Sequence, residues 1–142
     1  TLATDGGGTL SADALKGRKT VLYFYPKDDT SGCTKEAQAF RDTIAEFEAA
    51  GIAIVGVSPD APASHDRFKS KHQLPFTLIS DPDKTLAEAF GVWVEKSMYG
   101  RKYMGVERAT FLIDEAGVVR KVWRKVKVTG HAAQVLAAAR AL

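Results

Sequence analysis

Short apolar runs alternate along this chain with longer stretches in which apolar residues recur at helical spacing. Residues 21–25 (VLYFY) and Ile52–Ser58 (IAIVGVS) are rich in β-branched and aromatic side chains, which predicts two buried strands. Between them, residues 34–50 predict one helix. Its inner face carries four apolar residues, which are Ala37, Phe40, Ile44 and Phe47. A strand, a helix and a strand in this order predict a right-handed parallel crossover.

The same alternation continues to the end of the chain. Helices are predicted over 61–72, 81–90 and 131–142, a hairpin region over 98–105, and strands over 76–79, 110–113 and 118–126. Interleaved strands and helices of this kind predict an α/β fold. We therefore expect a three-layer sandwich around a mixed β-sheet, formed by a single domain over residues 1–142.

Composition and charge narrow the class of protein. The chain has 142 residues, 45% of them hydrophobic and 26% charged, which is ordinary for one soluble globular domain. Its net charge of +3 is weak evidence for an anionic partner, and the basic stretch 120–127 is interpreted as a solvated strand face, not a nucleic-acid surface. No apolar run is long enough to span a membrane, and residues 1–17 lack the apolar segment of a signal peptide. A single cysteine favours a reducing compartment, so we expect a cytoplasmic protein.

That cysteine lies in the segment 25–42, which reads YPKDDTSGCTKEAQAFRD. Cys33 falls at the first turn of the predicted helix, where unpaired N–H groups and the positive helix end favour an anion. The position therefore favours the thiolate, which is the nucleophilic form of cysteine. Pro26 starts the loop, Gly32 lets the backbone pass close to the sulfur, and Thr30 can direct its hydroxyl to the same point.

Other interpretations of the reactive groups are weaker. A lone cysteine is more often a small buried hydrophobe, but the polar loop around Cys33 argues against that role. The chain lacks a C-x-x-C motif, which argues against a disulfide oxidoreductase. His65 and His72 lie seven residues apart without thiolate ligands, so we expect no metal site.

Pro26, Thr30 and Cys33 form the pattern P-x-x-x-T-x-x-C, which resembles the active-site signature of the peroxiredoxins. The surrounding segment, together with IVGVSPD, LISDPDKTLAEAFGVW, YMGVERATFLID and WRKVKVTGH, resembles the bacterioferritin comigratory protein or peroxiredoxin Q subfamily. The resemblance covers the chain from about Gly8 onward and implies a thioredoxin-like fold. It identifies Cys33 as the peroxidatic cysteine, Thr30 and Arg108 as its polar partners, and Pro26 as the residue that shields the pocket.

The resemblance also implies a reaction. Cys33 would reduce hydrogen peroxide and organic hydroperoxides through a sulfenic acid, with no metal or organic cofactor. Many members carry a second, resolving cysteine, but the two usual positions hold Gln38 and Lys69 here. An external thiol is therefore expected to recycle Cys33, namely thioredoxin, glutaredoxin or glutathione. The resemblance favours a monomer.

Two further residues depart from the subfamily. Ser31 and Val94 stand where proline and glycine are common. Serine is expected to loosen the loop before Cys33, and valine is expected to restrict the loop next to it.

An alternative function uses the same cysteine, Cys33. Cys33 would then be the switch of a peroxide sensor or of a chaperone-like redox protein, which is oxidised once and turns over poorly.

Overall fold

The computed structural model describes residues 2–3, 9–10 and 17–141. Its strands are β1 (Leu2–Ala3), β2 (Thr9–Leu10), β3 (Lys19–Phe24), β4 (Ile52–Ser58), β5 (Thr77–Ser80), β6 (Trp93–Met98), β7 (Arg101–Val106), β8 (Ala109–Ile113) and β9 (Val119–Trp123). Its helices are α1 (Ser31–Asp42), α2 (Ile44–Ala49), α3 (Pro62–His72), α4 (Thr85–Ala89) and α5 (His131–Arg140).

A five-stranded sheet with the order β5-β4-β3-β8-β9 forms the centre of the fold. β3 is parallel to β4, and β4 is parallel to β5, whereas β8 pairs antiparallel with both β3 and β9. The sheet is therefore mixed, and β3 and β4 form the predicted parallel pair. Two separate antiparallel pairs, β1–β2 and β6–β7, complete the strand pairings of the described residues.

Alternate residues of β3, together with Tyr25 directly after it, divide the core into two clusters. Val21, Tyr23 and Tyr25 face a cluster that includes residues of α1, α2, α3 and α5. Leu22 and Phe24 face the opposite cluster, which includes residues of α4, the β6–β7 hairpin and β8. The central strands β3, β4 and β8 are buried on both faces, which explains why they are continuous apolar runs. The predicted three-layer α/β sandwich is confirmed.

The predicted helix over residues 34–50 is in fact two helices separated at Thr43. The Thr43 hydroxyl donates to the carbonyl oxygens of Ala39 and Phe40 at 2.9 and 3.3 Å. This side chain binds backbone acceptors at the end of α1, which favours a local break in the helix.

The last strand, predicted over 118–126, is also shorter than predicted. It ends at Trp123, and Lys125 beyond it has a left-handed backbone with φ 49°.

The register of β3 and β8 brings two distant segments together. Phe24, the last residue of β3, is paired with Ala109, the first residue of β8. The loop that follows β3 and the residue that precedes β8 therefore lie at the same edge of the sheet. That loop leads to Cys33, and the residue before Ala109 is Arg108.

Across the described residues, no helix combines the length and the apolar character that crossing a membrane requires.

Gly56 provides a test of this packing. A Cβ atom at Gly56 would lie 2.9 Å from both Leu78 Cδ2 and Tyr23 Cζ. In an open strand, replacing glycine with alanine stabilises a protein by about 0.5–1 kcal/mol. Here we expect the opposite sign: Gly56→Ala lowers the free energy of unfolding by about 1–3 kcal/mol because it overpacks the core. Urea denaturation measures the change, and a stabilised variant would contradict the packing described.

Candidate active site

Cys33 is the third residue of α1 and is only 1% exposed. Thr30 precedes the helix with an extended backbone, and its carbonyl accepts the first-turn hydrogen bond from the N–H of Thr34 at 2.8 Å. The predicted position of Cys33 at a helix N-terminus is confirmed. Its sulfur therefore lies where unpaired backbone N–H groups and the helix dipole favour negative charge.

Arg108 reaches this sulfur from the opposite side of the site. Its Nη2 donates to Cys33 Sγ at 3.1 Å, and its Nη1 donates to Glu36 Oε1 at 2.6 Å. Its sequence neighbour Glu107 pairs with Arg124 instead, at 2.7 Å. Arg108 is thus not simply a strand-end residue paired with its neighbour, because its guanidinium joins two side chains of α1.

Gly32 makes room for this arrangement. A Cβ atom at Gly32 would lie 3.2 Å from Arg108 Nη2, closer than most such contacts. The glycine that precedes the cysteine therefore allows the guanidinium to lie against the first turn of the helix. A larger residue there would require the guanidinium to shift by a few tenths of an ångström.

Glu36 is a site residue that the sequence analysis did not single out. It lies one helical turn after Cys33, is 1% exposed, and leaves its Oε2 without a hydrogen-bond partner. Burial raises the pKa of Glu36 to about 7, although the charge and the hydrogen bond of Arg108 oppose the shift. Its spacing is the signal that could have revealed it, because residues three apart share a helix face and the face of Cys33 is buried.

Thr30 and Pro26 lie in the loop between β3 and α1. The Thr30 hydroxyl is exposed and donates to the carbonyl of Lys27 at 2.9 Å. Its hydrogen is used inside the loop, so its oxygen remains able to accept a hydrogen bond from a substrate. Pro26 is half-buried and follows Tyr25, whose side chain is in the core.

A buried polar network anchors the same loop to α3. The carboxylate of Asp28 accepts hydrogen bonds from the Tyr25 hydroxyl at 2.6 Å and from the Ser64 hydroxyl at 2.8 Å. His65 Nδ1 lies 2.7 Å from Asp28 Oδ2, and its Nε2 lies 3.0 Å from the carbonyl oxygen of Ile79. Both ring nitrogens face acceptors, which favours the doubly protonated, charged imidazolium.

The charge state of His65 follows from competing effects. Burial lowers its pKa, but the hydrogen bond and the charge of Asp28 outweigh burial, so the pKa of His65 is raised above its ordinary value. Ligand atoms of Asp28, Asp60 and His65 lie within 4.8 Å of one another. Hydrogen bonds already occupy them, since Asp60 accepts from the N–H of Asp28 at 2.7 Å and from Ser58 at 2.6 Å. The cluster is a closed hydrogen-bonded network.

Comparison with known proteins identifies the family of this chain. The model of the AhpC/TSA family matches residues 1–122. A putative peroxiredoxin bcp of Coxiella burnetii is 57% identical over 136 residues, which cover 96% of this chain and 90% of that protein. Peroxiredoxin Bcp of Bacillus subtilis is 52% identical over 135 residues, covering 95% and 86%. A structure of the Xanthomonas campestris bacterioferritin comigratory protein, from a study of its alkyl peroxide reduction, has a TM-score of 0.95 at 48% identity and covers 99% of this chain and 89% of that chain.

The chain therefore belongs to the AhpC/TSA family of peroxiredoxins, which are thiol-dependent peroxidases. Within that class it is similar to the bacterioferritin comigratory or peroxiredoxin Q proteins, as a variant with one cysteine. The thioredoxin-like fold that the sequence motifs implied is confirmed.

The buried pair of Asp28 and His65 makes a prediction about stability. His65→Gln removes the cation and leaves the Asp28 carboxylate without its charged partner, so we expect a loss of about 3 kcal/mol or more in the free energy of unfolding. Because the folded-state pKa of His65 is raised, the contribution of the pair is fully present below its ordinary pKa of 6.5 and is lost as the pH rises through the folded-state value.

Denaturant unfolding between pH 6 and 9 measures both effects. The wild type loses stability as the pH rises above 6.5, the ordinary pKa of His65, and His65→Gln lacks that part of the slope. His72→Gln is the matched control, because His72 lies on the same helix and contacts the exposed Asp29 at 2.9 Å. It should cost clearly less than His65→Gln, because the partner of His72 is exposed. Equal losses of stability in the two variants would contradict the expectation that the buried Asp28–His65 pair stabilises the fold more than the contact of His72 with the exposed Asp29.

Proposed function

We propose that Cys33 is the peroxidatic cysteine and that it reduces hydrogen peroxide and organic hydroperoxides. The observation that supports this assignment most strongly is the 3.1 Å contact between Arg108 Nη2 and Cys33 Sγ at the N-terminus of α1. The thiolate attacks one peroxide oxygen, an S–O bond forms and the O–O bond breaks. The departing oxygen takes the proton of the hydroperoxide, so water or an alcohol leaves and Cys33 remains as the sulfenate.

Charge moves from the sulfur to the peroxide oxygens during this step. Donors that already face the reacting atoms stabilise the transition state more than the ground state. Arg108 offers a permanent cation and several N–H donors, and the backbone at Gly32 and Cys33 offers more. In this proposal the Thr30 oxygen accepts the hydrogen of the hydroperoxide, and Pro26 shields the pocket from water. The reported alkyl peroxide reduction by the similar Xanthomonas campestris protein supports organic hydroperoxides as substrates.

The second half of the cycle needs a thiol from outside the chain, since Cys33 is the only cysteine. Gln38 and Lys69 occupy the positions where related proteins carry a resolving cysteine. An external thiol condenses with the sulfenic acid to give a mixed disulfide and water, and a second thiol then releases Cys33 as the free thiol. Thioredoxin, glutaredoxin and glutathione all supply this chemistry. We place the reaction in the cytoplasm, in a monomer with a single domain over residues 1–142.

The first test follows the oxidation of Cys33. After one equivalent of peroxide, a dimedone-type reagent should add once, at Cys33, as seen by mass spectrometry of the intact protein and of its peptides. With excess thiol, peroxide should be consumed over many turnovers, whereas a sensor would react once and stop. A Cys33 that stays reduced under conditions in which free cysteine reacts would overturn the proposal, and Cys33→Ser is the control for trapping at other sites.

The second test concerns Arg108. Arg108→Ala should lower the second-order rate constant for peroxide reduction by about 10²–10³, the usual effect of removing one donor to a developing negative charge. Arg124→Ala is the matched control, because this exposed arginine contacts Glu107 and the carbonyl of Gly91 instead of Cys33. Stopped-flow mixing with hydrogen peroxide measures both. A rate constant that Arg108→Ala leaves unchanged would remove Arg108 from the mechanism.

A further inference from the structure

The β6–β7 hairpin carries a second cation toward the site. Lys96 on β6 is paired with Tyr103 on β7, but its side chain leans along the hairpin and over Gly105. A Cβ atom at Gly105 would lie 3.2 Å from Lys96 Cδ and 3.4 Å from Lys96 Cε. Gly105 lies toward the base of the hairpin, where β7 ends at Val106 and the chain continues to Arg108. The absence of a side chain at Gly105 thus lets the lysine stem extend toward the active-site arginine.

Charged groups of the site act on Lys96 through space. Burial lowers the pKa of Lys96, and the positive charge of Arg108 lowers it further, while Cys33 and Glu107 act in the opposite direction. The ammonium group is therefore within electrostatic range of both the guanidinium and the sulfur. Within the part of the chain that the structure describes, no ion pair is formed by Lys96, whereas Lys102 on the same hairpin pairs with Glu95 at 3.8 Å.

Two partly buried cations beside one reactive sulfur favour an incoming anion. The Nη1 of Arg108 donates to Glu36 and its Nη2 donates to Cys33. The carboxylate of Glu36 therefore offsets the charge of Arg108 and not that of Lys96. Lys96 forms no such ion pair among the described residues, and Glu107 acts on it only through its charge. Hydrogen peroxide is neutral and does not require this second cation. The reductant is different, because the attacking form of a thiol is the thiolate.

We propose that Lys96, beside Arg108, forms a subsite for the carboxylate of a small thiol and thereby selects an anionic reductant for the oxidised Cys33. The inference rests on the proposed function, since it concerns the reduction of the Cys33 sulfenic acid. The carboxylate pairs with Lys96 while the thiolate sulfur attacks Cys33 Sγ. An S–S bond forms, the S–O bond breaks, and the oxygen leaves as hydroxide, which takes a proton from solvent to become water. A second thiol then attacks the mixed disulfide and releases reduced Cys33 and the small-molecule disulfide.

The test isolates the reduction step. The protein is oxidised with one equivalent of hydrogen peroxide, its sulfenic acid content is verified by trapping, and it is then mixed with thioglycolate or with thioglycolamide. These two thiols have nearly the same size and differ in the carboxylate charge. Rates are compared at equal thiolate concentration, and the readout is their ratio within each variant. We expect the wild type to favour thioglycolate and Lys96→Met to lower that ratio about tenfold.

Two variants and salt separate the subsite from general effects. Lys96→Arg retains the cation and should retain most of the preference, whereas Lys102→Met removes a cation from the same hairpin and should leave the ratio unchanged. Added salt should reduce the wild-type preference. An unchanged ratio in Lys96→Met, or an equal loss in Lys102→Met, would overturn the subsite. Failure of the wild type to form the sulfenic acid would overturn the proposed function instead, so the two failures are distinguishable.

Discussion

The guanidinium of Arg108 joins the sulfur of Cys33 to the buried carboxylate of Glu36, and the rest of the site depends on that contact. The two partners lie 75 and 72 residues away along the chain. The antiparallel register that pairs Phe24 with Ala109 brings them together. A charge at this depth is costly unless it is paired, so the arginine and the glutamate each require the other. The sheet therefore determines the geometry of the active site as much as the loop that carries the cysteine.

The electrostatic balance at Cys33 follows from the same contact. Glu36 leaves one oxygen unpartnered, and burial raises its pKa to about 7. Near neutral pH a substantial fraction of Glu36 is therefore uncharged, and in that fraction Arg108 directs an uncompensated positive charge toward the sulfur. Raising the pH ionises Glu36, and its carboxylate then offsets part of the charge of the guanidinium. His131, whose pKa is lowered to about 4 by burial and by the charge of Arg108, stays neutral and adds no further cation.

Local patterns predicted much of this fold because its central strands are buried on both faces and leave long apolar runs. The break at Thr43 was missed, since the apolar spacing continues across it and only the hydroxyl contacts distinguish the two helices. Cys33 was found from its loop and helix, whereas Arg108 came from a resemblance, because a lone arginine before a strand has no local signature. Glu36 was missed because a glutamate on a helix usually faces water. The contact of Asp28 with His65 spans 37 residues and depends on tertiary packing.

Cys33 is buried at the start of α1, and the loop before it is held more tightly than the first turn of the helix. The sulfur is only 1% exposed. The loop before it is held by Asp28 against His65, while Asp29 contacts Lys71 and His72 at the surface. The start of α1 is less constrained: Thr30 makes no side-chain cap to the helix, and Ser31 is exposed. Serine also lacks the ring that would hold the backbone angle of proline there. The backbone at the start of α1 is therefore less restricted than a proline would make it, while Asp28 holds the loop before it against α3.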